Sequence, residues 1–272
     1  MQQLNLGGSG SVLHFSHANG YPPMAYRAML KPFLQQYEVI ASLHRPVWNP
    51  PPEPSSMKSW QDFGVDLLHS LDSIDATVIS VGHSMGAAAI VMAADKKPER
   101  FSKIVLIEPL LMPARYFYFL KLLRPLARRR VPLIRRTLQR IDRWSSREEA
   151  FEHFRPKQVF KRISDEVLWD YVNHGVNETQ DGTVCLAYSR EWEAHCYLRA
   201  ASIWKSLLRL DLPILAIRGG DSNTVSRKSW NKWQSLSPRH QYVEIKEAGH
   251  LVPFERPELI ASIIRQWIEK IS

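Results

Sequence analysis

Two spacings of hydrophobic residues alternate through most of the chain. Short apolar runs rich in β-branched residues, at positions 11–15, 38–43, 77–81 and 102–108, have the composition of strands buried on both faces, and a shorter strand is expected at 2–6. Between them apolar positions recur every three to four residues. Tyr26, Met29, Leu30, Phe33 and Leu34 predict a helix over 23–37, and Trp60, Phe63, Leu67, Leu68 and Leu71 predict one over 57–71. The run from Ala87 to Ala94 is helical by composition, and Pro98 stops it. After a long gap the pattern returns with a strand at 212–218, a helix near 226–236 and a strand at 241–245. It closes on a helix whose Leu259, Ile260, Ile263, Ile264, Trp267, Ile268 and Ile271 form one stripe. Strands alternating with helices predict an α/β fold, a mostly parallel central sheet flanked by helices.

From about 113 to 206 the alternation lapses. Tyr116, Phe119, Leu120, Leu123 and Leu126, then Val131, Ile134, Leu138 and Ile141, sit at helical spacing. The expected organisation is a core domain of residues 1–112 and 207–272, interrupted by an inserted helical cap at 113–206. A proline-rich loop at 44–56 is too short to link domains and is expected on the rim of the site.

Charge sharpens the picture of that cap. Of the net +9, a surplus of ten lies between Arg115 and Arg147, where eleven Lys/Arg meet one acid, Asp142; elsewhere 25 cations face 26 acids. So local a surplus describes one surface rather than the whole protein. Its cations alternate with Tyr116, Phe117, Tyr118, Leu122 and Leu123, so a peripheral contact with an anionic membrane is expected as readily as a merely solvated face. No nucleic-acid-binding module accompanies the charge.

Composition excludes other classes. No window approaches the ~18 apolar residues of a membrane span, and the first residues lack the basic and apolar regions of a secretory signal. Two cysteines, Cys185 and Cys196, make no disulfide framework and read as structural thiols, so a cytoplasmic setting is expected. The glycines at 7, 8 and 10 lack the Gly-Lys-Ser/Thr ending of a phosphate loop. His14, His17 and His44 have no zinc-type spacing, so neither a metal nor a cofactor is implied.

The chemistry gathers around Gly82-His83-Ser84-Met85-Gly86. A strand runs into this segment and a helix leaves it, and the two glycines remove Cβ atoms that would collide in so sharp a turn. Ser84 at its apex is the candidate nucleophile. An activated serine needs a histidine base, an acid that orients the histidine, and N–H donors for an oxyanion. Ser84, Glu108, Asp221 and His250 each follow a strand of the parallel type, and the carboxyl ends of such strands share one edge of a sheet.

In these segments the chain resembles the α/β-hydrolase superfamily from Ser11 to Ile271. The resemblance rests on the elbow, on His14-Phe15-Ser16-His17-Ala18-Asn19-Gly20, and on the stretch from Ala248 to Glu258 around His250. It implies an oxyanion hole made by the N–H groups of Asn19 and Met85. The superfamily most often places its acid three residues past a glycine after the strand ending here near Arg218, but that position is Ser222, and Asp221 falls one residue short. The segment from Ile107 to Pro113 resembles the place where some haloalkane-dehalogenase-like proteins carry their acid, which favours Glu108 while leaving Asp221 open. Those proteins use an aspartate nucleophile; a serine suits acyl transfer instead, because its ester can be hydrolysed at the carbonyl whereas an alkyl ether would be a dead end. The expected activity is hydrolysis of a small-molecule ester or thioester with a largely apolar acyl group. An acyltransferase and a non-catalytic binding scaffold are the alternatives.

Overall fold

A computed structural model describes residues 3–122, 126 and 129–271. Its main sheet comprises β1 (Gln3–Gly7), β2 (Ser11–Ser16), β3 (Tyr37–Ser42), β4 (Val78–His83) and β5 (Phe101–Ile107). After an insertion carrying β6 (Arg143–Trp144), β7 (Val176–Glu178) and β8 (Val184–Leu186), it is completed by β9 (Ile214–Gly219) and β10 (Gln241–Ile245). The order is β1-β3-β2-β4-β5-β9-β10, with β1 antiparallel and every other pairing parallel.

Period-two alternation sends successive residues of each strand into different layers. Ile104 and Leu106 of β5, with Ile214 and Ala216 of β9, pack with α2 (Gln61–Leu71) and α3 (Met85–Lys96). Val105, Ile107, Leu215 and Ile217 face the other way, into a core with Met29 and Leu30 of α1 (Arg27–Leu30) and the stripe of the closing helix. Every residue of α3 from Met85 to Ala94 is buried, which explains its lack of a polar face. Burying Ile90 or Val91 contributes about 1.5–3 kcal/mol each.

The helix expected over 23–37 is broken. Two 3-10 turns, Pro23–Tyr26 and Lys31–Gln35, flank the single turn of α1. Pro32 has no N–H to continue the ladder, and its ring opposes an unbroken helix.

Between β5 and β9 lie α4 (Ala114–Leu122), α5 (Pro132–Gln139), α6 (Arg147–Phe154), α7 (Asp165–Gly175), α8 (Arg190–Leu198) and α9 (Trp204–Arg209). Most elements of this insertion are helices, but it also holds strands that periodicity did not predict. Strands β6, β8 and β7 form a small antiparallel sheet, too short for any period to announce. Ile141, expected on the helix with Ile134, lies past its end and is exposed. Leu123, Arg124 and Arg128 of the basic segment fall outside the described residues, as do the side chains of Phe119 and Lys121. The chain then runs through α10 (Arg227–Leu236), α11 (Val252–Glu255) and α12 (Pro257–Lys270). Among the described residues no helix is long and apolar enough to cross a membrane.

Candidate active site

Ser84 sits between β4 and α3 with φ 54° and ψ −111°, a conformation that costs a non-glycine residue energy. The surroundings hold it there because they admit no side chain on either flank. A Cβ on Gly82 would lie 2.7 Å from the Ala87 nitrogen, and one on Gly86 only 2.1 Å from the Ser16 carbonyl oxygen. Glycine is required at both places by the close approach of α3 to β4 and β2.

Strand ends bring three side chains into one line. His250 Nε2 is 3.1 Å from Ser84 Oγ, and His250 Nδ1 is 3.0 Å from Glu108 Oε2. Because a carboxylate only accepts, Nδ1 carries the proton and Nε2 is left bare to accept from the serine hydroxyl. Glu108 is wholly buried, and like Ser84 it has positive φ, 50°, at the end of β5. Its Oε1 accepts from the Gly219 N–H at 2.7 Å, and its Oε2 from the Ser222 hydroxyl at 2.5 Å. Thus the residue occupying the more usual acid position donates to the acid that comes from the neighbouring strand.

Asp221 does not join this line. Its half-exposed carboxylate pairs with Arg162 Nη2 of the insertion at 2.6 Å, and the same arginine reaches Glu255 at 3.8 Å. The cause is direction: the Asp221 N–H is tied to the Ala248 carbonyl, while Ser222 is the residue whose side chain turns inward.

Behind the serine runs a buried chain of hydrogen bonds that sequence reasoning missed. The Ala18 N–H donates to Tyr26 Oη at 3.2 Å, Tyr26 Oη lies 2.8 Å from His83 Nδ1, and His83 Nε2 lies 3.0 Å from the His250 carbonyl. His83 Nε2–H must be the donor to that carbonyl, so Tyr26 donates to Nδ1. Burial and the neighbouring His250 hold His83 well below the ordinary histidine range, keeping it neutral. This chain joins the loop before Asn19, the elbow and the His250 loop; Tyr26 gave no local signal because its hydrogen-bond partners, Ala18 and His83, lie on two other segments.

The N–H groups of Asn19 and Met85 have no protein acceptor among the described residues, as an oxyanion hole requires. Asn19 is buried, and its Nδ2 donates to the Glu193 carbonyl of α8 at 3.2 Å, fixing this loop against the insertion. Ser84, Met85, Asn19 and His250 line one cavity of about 900 Å³, whose apolar walls include Trp60, Leu110, Met112, Leu120 and Ile134. The proline-rich loop is not on its rim: Pro46, Val47, Trp48 and Pro51 line a separate groove of about 570 Å³.

Other candidates resolve into packing. His14 bonds to Ser80 and Ser42, and His44 to Ser16, all in the core. No group of side chains suited to a metal ion occurs among the described residues. Cys196 is buried beside Tyr188, and burial pushes its thiol up to about 12, which leaves it no nucleophile; Cys185 on β8 is half-buried.

Comparison with known proteins gives the same architecture. The model of the alpha/beta hydrolase family matches residues 12–263. An abhydrolase domain-containing protein of Alternaria alternata, AFT2-1, is 24% identical over 230 residues, covering 71% of this chain and 83% of its own. The crystal structure of E-2-(acetamidomethylene)succinate hydrolase superposes with a TM-score of 0.79 at 20% identity, covering 98% of this chain and 94% of that one. A thioesterase domain from the curacin biosynthetic pathway superposes with a TM-score of 0.73 at 19% identity, covering 97% and 99%.

Proposed function

The chain belongs to the alpha/beta hydrolase family, and from that premise we propose that it is a serine hydrolase cleaving an ester or thioester of a largely apolar acyl group through an acyl-enzyme. The observation that carries this reading is the unbroken line from Ser84 Oγ through both nitrogens of His250 to Glu108.

In the acylation step Ser84 Oγ attacks the substrate carbonyl carbon as its proton passes to His250 Nε2, and the carbonyl electron pair moves onto the oxygen. The N–H groups of Met85 and Asn19 receive that oxyanion. Glu108, already hydrogen-bonded to Nδ1–H, stabilises the imidazolium. Collapse expels the alkoxide or thiolate, which takes the proton from Nε2. Water then attacks the acyl-enzyme with His250 as base, releasing a carboxylic acid and free Ser84. The apolar cavity walls suit an acyl chain, and the insertion between β5 and β9 acts as a cap that supplies several of them. Transfer of the acyl group to an acceptor other than water would use the same intermediate.

Nitrophenyl esters and acyl thioesters of increasing chain length, assayed with the wild type and Ser84→Ala, test this. Turnover should depend on chain length, fall by several orders of magnitude in Ser84→Ala, and stop after fluorophosphonate labelling of Ser84. Wild-type turnover by the variant would refute the serine mechanism, and absence of labelling would leave a binding scaffold.

A further inference from the structure

The arginines of the insertion fall into two groups. Arg140, Arg143, Arg147, Arg155, Arg162 and Arg190 each pair with a carboxylate. Arg115, Arg129, Arg130, Arg135, Arg136 and Arg199 meet no carboxylate among the described residues. Four of these six, Arg129, Arg130, Arg135 and Arg136, are exposed and lie within eight consecutive positions, and that stretch borders the catalytic cavity. Val131, Leu133, Ile134 and Arg136 all line it together with Ser84 and His250. Ile134 and Thr137 are buried while Leu133 and Arg136 are exposed, so α5 turns one face inward and keeps Arg136 at the solvent side of the cavity wall.

A surface cation merely needed for solubility has no reason to avoid the acids that neutralise its neighbours. Arg136 lines the apolar cavity and Arg129, Arg130 and Arg135 lie within seven positions of it along the chain; exposed cations so placed create a field that draws anions toward the nucleophile, and guanidinium forks match phosphate oxygens two at a time. Resting on the hydrolase reading above, we propose that the leaving group of the substrate is phosphorylated. Its phosphate is held at the cavity mouth by Arg135 and Arg136, with Arg129 and Arg130 beside them, while the acyl chain occupies the apolar walls. Such a leaving group is either the phosphorylated thiol arm of an acyl-coenzyme A or the phosphate of a glycerol ester.

Two matched pairs of probes separate these sources: hexanoyl-coenzyme A against hexanoyl-N-acetylcysteamine, and the octanoyl ester of glycerol phosphate against that of glycerol. The quantity read is the ratio of kcat/KM, phosphorylated over unphosphorylated. In the wild type it should exceed about tenfold for one pair, through KM, and decline as salt rises. The pair that shows it names the source. In Arg135→Gln/Arg136→Gln the ratio should drop by about tenfold, and Arg129→Gln/Arg130→Gln should lower it less.

A wild-type ratio near one in both pairs would overturn the proposal without touching the hydrolase reading, and it needs no variant to fold. A high ratio unchanged in both double variants would overturn the assignment to these arginines. If the variants instead lose sedimentation with anionic phospholipid vesicles while the ratio stays put, the patch belongs to a membrane surface and the proposal fails. Turnover of a nitrophenyl ester with none of the four probes cleaved would overturn this proposal alone, whereas failure of the nitrophenyl esters as well would strike the hydrolase reading and take this proposal with it.

Discussion

Glu108 and Asp221 differ in what surrounds each carboxylate. Glu108 accepts from the Gly219 N–H and Ser222 hydroxyl while facing His250, whereas Asp221 is spent on Arg162 at the surface. A buried carboxylate bonded to the imidazole holds its tautomer and stabilises its charge, and removing that charge costs up to about four orders of magnitude in kcat in well-studied triads. Glu108→Gln is therefore expected to lower kcat by about a thousandfold or more, and Asp221→Asn to stay within about fivefold, since an exposed pair is worth at most about 1 kcal/mol. Steady-state kinetics on a nitrophenyl ester checks both; the opposite ranking would return the role to Asp221.

At the scale of elements, the site depends on how closely α3 can approach β2 and β4. With its Cβ 2.1 Å from the Ser16 carbonyl, alanine at position 86 cannot be accommodated without moving the helix or the strand. Overpacking of this kind costs about 1–3 kcal/mol. Gly86→Ala is expected to lower the urea midpoint accordingly and to lower kcat, because the same movement displaces Ser84 from His250. A variant with wild-type stability and kcat would show that the elbow has slack the geometry denies. The Arg162 contacts act at this scale too, tying the insertion to the core beside Asp221 and Glu255.

Across the whole molecule, the histidines folded into the sheet and its edge make stability depend on pH. His14 and His17 are fully buried, and burial pushes them down to about 3 and about 4. In the unfolded chain each takes up a proton below about 6.5, while the folded protein binds none until pH approaches those lower values. Hence the unfolded state holds more protons throughout that window, and stability present above pH 6.5 drains away as pH falls. Each histidine should remove about 2 kcal/mol between pH 7 and pH 5. Urea denaturation at the two pH values measures this, and an unchanged midpoint would contradict neutral burial.

The alternation of strand and helix, the elbow, and the order of Ser84, an acid and His250 were legible in the chain because each is carried by local spacing. Periods of two and 3.6 report which face is buried, and the flanking glycines report one tight turn. The break at Pro32 was local as well, but the apolar spacing around it masked it. Beyond local reach lay the choice between Glu108 and Asp221, since both follow strands of the same sheet and only the folded chain shows which side chain turns inward. Equally silent were the Tyr26–His83 chain and the pairing of some insertion arginines but not others, because their partners lie many residues away. Spacing along a chain encodes faces and turns; distances between segments are set by the packing of the whole.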